Sequence, residues 1–260
     1  MNQDIPDAPW RNAATSALCD KFSGQSNVQL LELGCGDGFV LETLQNTGVF
    51  SVRGTTFRTE DDDYIRKRPY PNGISVDHGI DLNEPLPYQS ESYDAVVSTE
   101  VIEHVESHRR FVSEAARVLK PGGVLVLTTP NLYRVLSRFT FLLTGTHKIK
   151  HRLLTSSVPL ESMEEFHHRC VNLPHLHWLL WVNGMRIVET RPTEVKLISK
   201  LARLVFLPFV GFTSRRAINQ HQHMAVNDVE YRNDLHKQMV SRNTLVSEQL
   251  CLICEKNQAV

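Results

Sequence analysis

Three glycines occupy alternate positions early in the chain. Gly34, Gly36 and Gly38 follow a short apolar run, and Glu32 stands two residues before the first of them. Glycine has no Cβ atom, so this turn can bend tightly and let a ligand approach the backbone. The dinucleotide-binding pattern places its third glycine one residue later and directs a pyrophosphate to a helix N-terminus. The acidic residue instead favours a ligand with positive charge, such as an ammonium or a sulfonium group.

A second group of ionisable residues has the spacing of one helix face. Glu100, Glu103 and His104 stand at positions i, i+3 and i+4, so a helix that begins there would present all three together. That face would look into a site at the C-terminal end of a parallel strand. His104 can act as a general base toward an acceptor hydroxyl, since histidine titrates at about pH 6.5. Alternatively, the three residues can hold a divalent ion that lowers the pKa of that hydroxyl.

Alternating strands and helices must position these residues. Apolar runs predict strands over 28–33, 51–57, 74–76, 93–98 and 124–129, and helices are predicted over 12–22, 39–44 and 103–119. This alternation indicates a parallel α/β sheet up to residue 130. Further along, helices are predicted over 132–143 and 173–182, and strands over 185–190 and 250–255.

Several motifs in this order resemble those of class I S-adenosylmethionine-dependent methyltransferases. Residues 32–38 resemble their motif I, and 80–88 are similar to the segment whose acid and backbone hold the adenine. Residues 92–97, 100–105 and 119–131 resemble the fourth strand, the next helix start and the fifth strand. The resemblance implies a Rossmann-like, doubly wound, seven-stranded and mostly parallel sheet with an antiparallel last strand and a helical lid.

The resemblance also implies a domain organisation. We expect a single methyltransferase domain over 1–260, with a cofactor-binding core at 28–131, an acceptor lid at 132–182 and an excursion between the last two strands at 193–248.

The implied cofactor is S-adenosylmethionine. Its expected binding residues are Glu32, Gly34, Cys35, Gly36, Asp37, Gly38, Thr56, Asp81, Leu82 and Thr99. In the family, strand two normally ends in an acid that binds the ribose hydroxyls, whereas this chain has Thr56, whose hydroxyl makes a weaker hydrogen bond. The acidic run Glu60–Asp63 can supply the missing carboxylate, although such runs are also typical of solvated loops.

A Glu-x-x-Glu-His motif followed by a distant histidine resembles both ubiquinone-pathway O-methyltransferases and small-RNA 3′-terminal 2′-O-methyltransferases. It implies a metal site for Mg²⁺, Mn²⁺ or Zn²⁺ made of Glu100, Glu103, His104 and His168, with His167 as an alternative ligand. The Glu103-His104 pair also occurs in methyltransferases that use no metal, where it shapes the pocket.

The predicted reaction is O-methylation of a small phenolic or glycan-type hydroxyl. Two alternatives stay open: metal-dependent RNA 2′-O-methylation, and a degenerate methyltransferase fold that acts as a binding module. With 28 basic and 29 acidic residues, no global field favours nucleic acid. The best local basic patch consists of Arg134, Arg138, Lys148, Lys150 and Arg152.

The remaining expectations concern the surroundings of the protein. Five scattered cysteines without a signal peptide indicate a reducing, cytoplasmic setting. No transmembrane segment is expected, because the longest apolar run of residues 195–212 falls short of roughly 18 residues. This basic stretch carries Phe206, Phe209 and Phe212, and it can lie on a membrane surface or cap the core or the acceptor pocket.

Overall fold

The computed structural model describes residues 8–67, 69–71, 73–147, 170–220 and 229–258. Its strands are β1 (Val28–Glu32), β2 (Phe50–Thr55), β3 (Ser75–Asp77), β4 (Tyr93–Thr99), β5 (Leu119–Pro130), β6 (Met185–Thr190) and β7 (Gln249–Lys256). Its helices are α1 (Pro9–Lys21), α2 (Phe39–Gln45), α3 (Asp63–Lys67), α4 (His108–Val118), α5 (Val135–Thr144), α6 (Leu173–Val182), α7 (Leu197–Gln220), α8 (Val229–Val240) and α9 (Arg242–Val246).

All seven strands form one sheet in the order β3-β2-β1-β4-β5-β7-β6. Strand β7 is antiparallel to both of its neighbours, and the other pairs are parallel. The predicted doubly wound, mostly parallel sheet with an antiparallel last strand is therefore confirmed. The strand order reverses between β1 and β4, and in such sheets ligands bind at the carboxyl ends of the strands beside this switch point.

Consecutive residues of the central strands face two separate cores. Leu31 and Val96 belong to the core that α4 and α6 cover, whereas Leu30 and Ala95 belong to the core under α1 and α2. Because helices bury both faces of the sheet, its strands are apolar at successive positions instead of alternating with polar residues. This is why short apolar runs were sufficient to predict them.

The segment after β4 differs from the prediction. Glu100 adopts a left-handed conformation with φ +55°, Ile102–His104 form a single 3₁₀ turn, and Val105 is extended. The regular helix α4 begins only after these residues. The prediction of one helix from Glu103 onward is therefore wrong at its start, because the extended Val105 separates the 3₁₀ turn from α4. The left-handed Glu100 in turn separates its own side chain from that turn. Glu100, Glu103 and His104 do not share a helix face.

Helices α7, α8 and α9 lie between β6 and β7. Helix α7 is long and apolar enough to cross a membrane by length and composition alone, which the sequence interpretation did not expect. Residues 148–169 of the predicted lid lie outside the described residues, and the lid stays a prediction.

The structure describes two of the five members of the predicted basic patch, and both pack against the domain. Arg134 is 4% exposed and forms an ion pair with Glu248. The Arg138 guanidinium donates to the Tyr133 carbonyl at 2.8 Å and lies 5.0 Å from the centre of that ring. The other three members, Lys148, Lys150 and Arg152, lie outside the described residues. Burial removes Arg134 from the surface, and the half-buried Arg138 packs its side chain against the domain.

Candidate functional site

The predicted cofactor residues lie at the carboxyl ends of four neighbouring strands. Glu32 ends β1 and leads into the glycine turn, and Thr56 follows β2. Asp81 and Leu82 follow β3, and Thr99 ends β4. Since these strands are adjacent in the sheet, the residues share one edge around the switch point between β1 and β4. Their roles toward a ligand stay predictions.

Each glycine of the turn has a positive φ, with +76° at Gly34, +56° at Gly36 and +80° at Gly38. A Cβ atom at Gly34 would lie 2.7 Å from Cγ2 of Val101, so packing excludes a side chain there. A Cβ atom at Gly36 would meet no atom within 4 Å. The middle of the turn therefore faces open space at the edge where a ligand is expected.

Thr55, the last residue of β2, holds the turn in place. The Gly34 backbone N–H donates to Thr55 Oγ1 at 3.0 Å, and this hydroxyl donates to the Glu32 carbonyl at 3.2 Å. The Cys35 N–H donates to the Thr55 carbonyl at 2.8 Å. Sequence analysis selected the neighbouring Thr56 and missed Thr55, because only strand pairing shows which threonine faces the turn. Burial raises the pKa of the Cys35 thiol, so Cys35 packs as a neutral side chain.

Glu32 is 1% exposed, and its Oε2 has no hydrogen-bond partner among the described residues. Burial raises the pKa of this carboxyl to about 8, the positive charge of Arg11 lowers it, and the negative charge of Asp37 raises it. A buried carboxylate without a full set of partners is costly. The site would therefore be stabilised by a ligand that places a cationic donor against Glu32.

Arg11 brings a positive charge to the same turn from α1. Its Nη1 donates to Asp37 Oδ2 at 2.9 Å, and the guanidinium lies 5.5 Å from the centre of the Phe39 ring. Sequence analysis missed Arg11, because the predicted first helix began one residue later and no motif marks the position. The Glu32 carboxyl and the Arg11 guanidinium thus lie at the same turn, and together they match a ligand that carries both an ammonium and a carboxylate.

The end of β2 offers a hydroxyl in place of the family's usual acid. Thr56 is buried, and its Oγ1 accepts from the Arg58 N–H at 3.3 Å, which leaves the hydroxyl hydrogen to donate. Three carboxylates of the run 60–63 form ion pairs with nearby cations, namely Arg58–Asp62, Arg66–Asp61 and Lys67–Asp63. These pairs occupy the three carboxylates with cations on either side of the run, and the role of Thr56 toward a ribose hydroxyl stays a prediction.

The loop after β3 is tied to the segment after β4. Asp81 Oδ1 accepts from the backbone N–H and the side-chain amide of Asn83, both at 2.9 Å. Asn83 Oδ1 accepts in turn from the N–H groups of Glu106 and Ser107 at 2.7 and 3.0 Å. Sequence analysis did not select Asn83, which positions Asp81 through contacts far along the chain.

Two buried carboxyls lie in the segment after β4. Thr129 Oγ1 donates to Glu103 Oε2 at 3.1 Å. The backbone N–H of Glu100 donates to both the carbonyl and the hydroxyl oxygen of Thr128, each at 3.1 Å. Although Glu100 as a whole is partly exposed, its Oε1 is buried and without a hydrogen-bond partner in the described part of the chain. Burial raises the pKa of both carboxyls, and the charge of Glu103 raises that of Glu100 further. Both shifts favour the neutral form of the carboxyls. The partly exposed His104 directly follows Glu103 in the chain.

The structure describes only part of the predicted metal site. Among the described residues, no group of three or more His, Cys, Asp or Glu side chains is arranged to hold a metal ion. His167 and His168 lie outside those residues. The set of Glu100, Glu103, His104 and His168 stays a prediction.

The doubly wound sheet, the glycine turn and the acid at its switch point can be compared with known proteins. Residues 31–127 match the family model of the methyltransferase domain. Over this segment the chain is similar in sequence, and over most of its length similar in fold, to class I S-adenosylmethionine-dependent methyltransferases.

Two relatives and a solved structure show how far the similarity extends. A ubiquinone biosynthesis O-methyltransferase of Chelativorans sp. is 32% identical over 104 residues, which are 40% of this chain and 41% of that protein. Its namesake from Brucella anthropi is 27% identical over 179 residues, 66% of this chain and 68% of that protein. An S-adenosylmethionine-dependent methyltransferase structure from Methanosarcina mazei has a TM-score of 0.55 at 18% identity and covers 93% of this chain and 98% of that one. The chain thus matches less than half of the length of the first relative. At 18% identity, the similarity to the solved structure shows a shared fold.

Proposed function

We propose that this chain transfers the methyl group of S-adenosylmethionine to the hydroxyl oxygen of a small phenolic or glycan-type acceptor. The observation that carries the cofactor assignment is the buried, incompletely partnered Glu32 carboxyl beside the open space at Gly36. The names of the two relatives support an oxygen acceptor. The ionisable segment after β4 supports it independently.

The residues at the switch point fit the charged groups of this cofactor. Glu32 would hold the ammonium, and Arg11 would hold the carboxylate from the other side of the turn. Thr56 would donate to a ribose hydroxyl, and Asp81 with the backbone at Leu82 would hold the adenine. When bound, S-adenosylmethionine supplies a methyl group on a positively charged sulfur. Positive charge disappears as the methyl leaves, so positioning by these residues contributes more than acid catalysis.

The proton of the acceptor hydroxyl must leave as the oxygen is methylated. His104 is partly exposed in the turn after β4, so an acceptor can reach it. Glu103 lies in the same turn, and its carboxylate accepts from Thr129 of β5. Glu100 precedes it by three residues, and its backbone N–H donates to Thr128 of β5. We assign His104 the role of general base, which takes the proton of the acceptor hydroxyl and passes it to solvent.

Calorimetry with S-adenosylhomocysteine, the demethylated product, tests the cofactor assignment. We expect saturable heat at one site per chain on the purified full-length protein. Incubation with methyl-labelled S-adenosylmethionine and a panel of simple phenols, catechols and sugars then tests the acceptor class. A protein without measurable heat would contradict the enzyme hypothesis and support the degenerate binding module. Transfer that requires RNA and weakens steeply with salt would contradict the small-molecule acceptor.

Replacement of His104 by alanine is expected to lower kcat by roughly 100- to 10,000-fold, the usual contribution of a general base. The affinity for S-adenosylhomocysteine should stay unchanged, since His104 lies outside the cofactor residues. The kcat of the variant should also lose the pH dependence that a histidine base confers. The assay is initial-rate methyl transfer across pH, with the cofactor saturating.

His236→Ala provides the matched control, because His236 lies on α8, outside the predicted cofactor core and acceptor lid, and should leave kcat within about twofold. An unchanged kcat in His104→Ala would remove the assigned role. Exhaustive chelation distinguishes the metal alternative: activity that disappears and returns with Mg²⁺, Mn²⁺ or Zn²⁺ would make His104 a ligand instead of a base.

A further inference from the structure

Helix α7 presents a continuous apolar surface to solvent. Its outward side chains recur at helical spacing and are 56–70% exposed; we name them the α7 stripe, and they are Leu197, Leu201, Leu204, Val205, Phe209 and Phe212. A helix on the surface of a soluble domain normally turns its polar side outward. Contiguous exposed apolar surface of this kind marks an interaction site.

The inward side of α7 is already occupied. Val210 packs with Val135, Leu245 and Val246 in a small core. The Phe206 ring contacts the Phe139 ring of α5 edge to face, with centroids 4.5 Å apart. The helix is therefore anchored to the domain by one apolar side, and the stripe on the other side is additional to what the fold needs.

Neighbouring residues extend this surface. Helix α5, which packs against α7, ends in Phe141, Leu142 and Leu143, whose exposed fractions are 46%, 77% and 79%. Neither helix contains an acidic residue. Apolar side chains and the absence of negative charge thus coincide on two adjacent helices.

Cations stand within the first part of the stripe and beyond its last residue. Lys200 and Arg203 stand near the start of α7, and Arg215 and Arg216 near its end. This combination of exposed Leu and Phe side chains with Lys and Arg is the composition of helices that lie in the membrane interface and contact anionic lipid headgroups. We propose that the α7 stripe docks the protein on a membrane surface that contains anionic lipids. This proposal does not rest on the proposed reaction.

The charges and contacts of α7 favour lying on the membrane over crossing it. Only the eleven residues 204–214 separate Arg203 from Arg215, whereas a spanning helix needs about 20 apolar residues. The helix is also held along its length by the domain, since His236 Nε2 lies 3.1 Å from the Gly211 carbonyl and Arg215 donates to Asn233 at 3.0 Å. A second copy is disfavoured as the occupant, because a twofold contact would bring two acid-free, cationic helices together.

Vesicle cosedimentation of the full-length protein tests the proposal. We expect binding to phosphatidylcholine vesicles that contain phosphatidylglycerol, and much weaker binding to phosphatidylcholine alone. The double variant Phe209→Ser/Phe212→Ser should bind at least ~10-fold more weakly, because it removes two apolar anchors. Lys200→Gln/Arg216→Gln, which alters two exposed cations of α7, should weaken binding to anionic vesicles and reduce its dependence on salt. Val182→Ser, which alters an exposed apolar residue of α6, should bind as the wild type does.

Three outcomes would overturn the proposal. The first is that the wild-type protein binds neither type of vesicle. The second is that light scattering shows a dimer of the wild type and a monomer of the Phe209→Ser/Phe212→Ser variant. The third is that the protein stays in the membrane after carbonate extraction, which would indicate a spanning helix. Circular dichroism shows whether each variant is folded. S-adenosylhomocysteine calorimetry on the same variants separates this proposal from the proposed methyltransferase function. If the folded Phe209→Ser/Phe212→Ser variant no longer binds vesicles, docking is supported whether or not the protein binds the cofactor.

Discussion

Alanine at Gly36 is expected to abolish detectable S-adenosylhomocysteine binding in a protein that still folds. The added methyl group meets no protein atom within 4 Å, so it would project into the space that the cofactor is expected to occupy. The backbone at Gly36 has φ +56°, and a left-handed alanine costs about 1–2 kcal/mol of stability. We expect at least ~100-fold weaker binding in calorimetry, because the turn permits the close approach of a ligand only without a Cβ atom, and a modestly lower Tm.

Gly48→Ala is the matched control for backbone strain. Gly48 has φ +73° and equally open surroundings, but it lies between α2 and β2, at the opposite edge of the sheet. Both variants should lose similar stability, and only Gly36→Ala should lose binding. Normal binding by Gly36→Ala would mean that the cofactor does not approach this turn, whereas equal loss in both variants would indicate a general effect of destabilisation.

The second large effect concerns pH. Because burial raises the pKa of Glu32 to about 8, the free protein holds a proton on this carboxyl at neutral pH. A ligand ammonium favours the carboxylate and therefore displaces that proton. Between about pH 5.5 and 7.5, the affinity for S-adenosylhomocysteine should rise by several-fold to about tenfold per pH unit. Calorimetry in buffers of different ionisation enthalpy should show the release of up to about one proton per ligand.

Glu32→Gln should remove this behaviour. The variant should bind roughly 10- to 100-fold more weakly at pH 7.5, with affinity nearly independent of pH. The free wild-type protein should also lose stability as pH rises from the ordinary carboxyl pKa of 4.5 through about 8, because the native state holds the proton more tightly than the unfolded state. The Glu32→Gln variant lacks this loss, so its free energy of unfolding should increase relative to that of the wild type as the pH rises through about 8.

Glu42→Gln is the control for Glu32→Gln, since Glu42 is an exposed carboxylate in the first turn of α2 and should leave the pH profile unchanged. Wild-type affinity that is flat with pH, or proton uptake on binding, would place the ligand's ammonium away from Glu32.

The failures of sequence analysis around the site share one cause. Thr55 reaches Gly34 across 21 positions, and Arg11 reaches Asp37 across 26, so neither contact leaves a local pattern. The helix predicted from Glu103 failed because Val105 is extended, and the helix face proposed for Glu100 failed because the left-handed backbone at Glu100 occurs at a residue that is not glycine. Strained backbone of this kind is typical of functional segments, which agrees with the buried acid pair found there.

The sequence by itself determined the elements that depend on near neighbours. Apolar runs specify strands buried on both faces, and three glycines at alternate positions specify a tight turn after the first strand; their combination with later motifs was sufficient for the class of protein. Tertiary structure alone decided the charge state of Glu32, the partners of the turn and the orientation of α7. Desolvation depends on everything that surrounds a carboxyl, and α7 is apolar on two sides, so that only its packing decides which side is buried and which faces solvent.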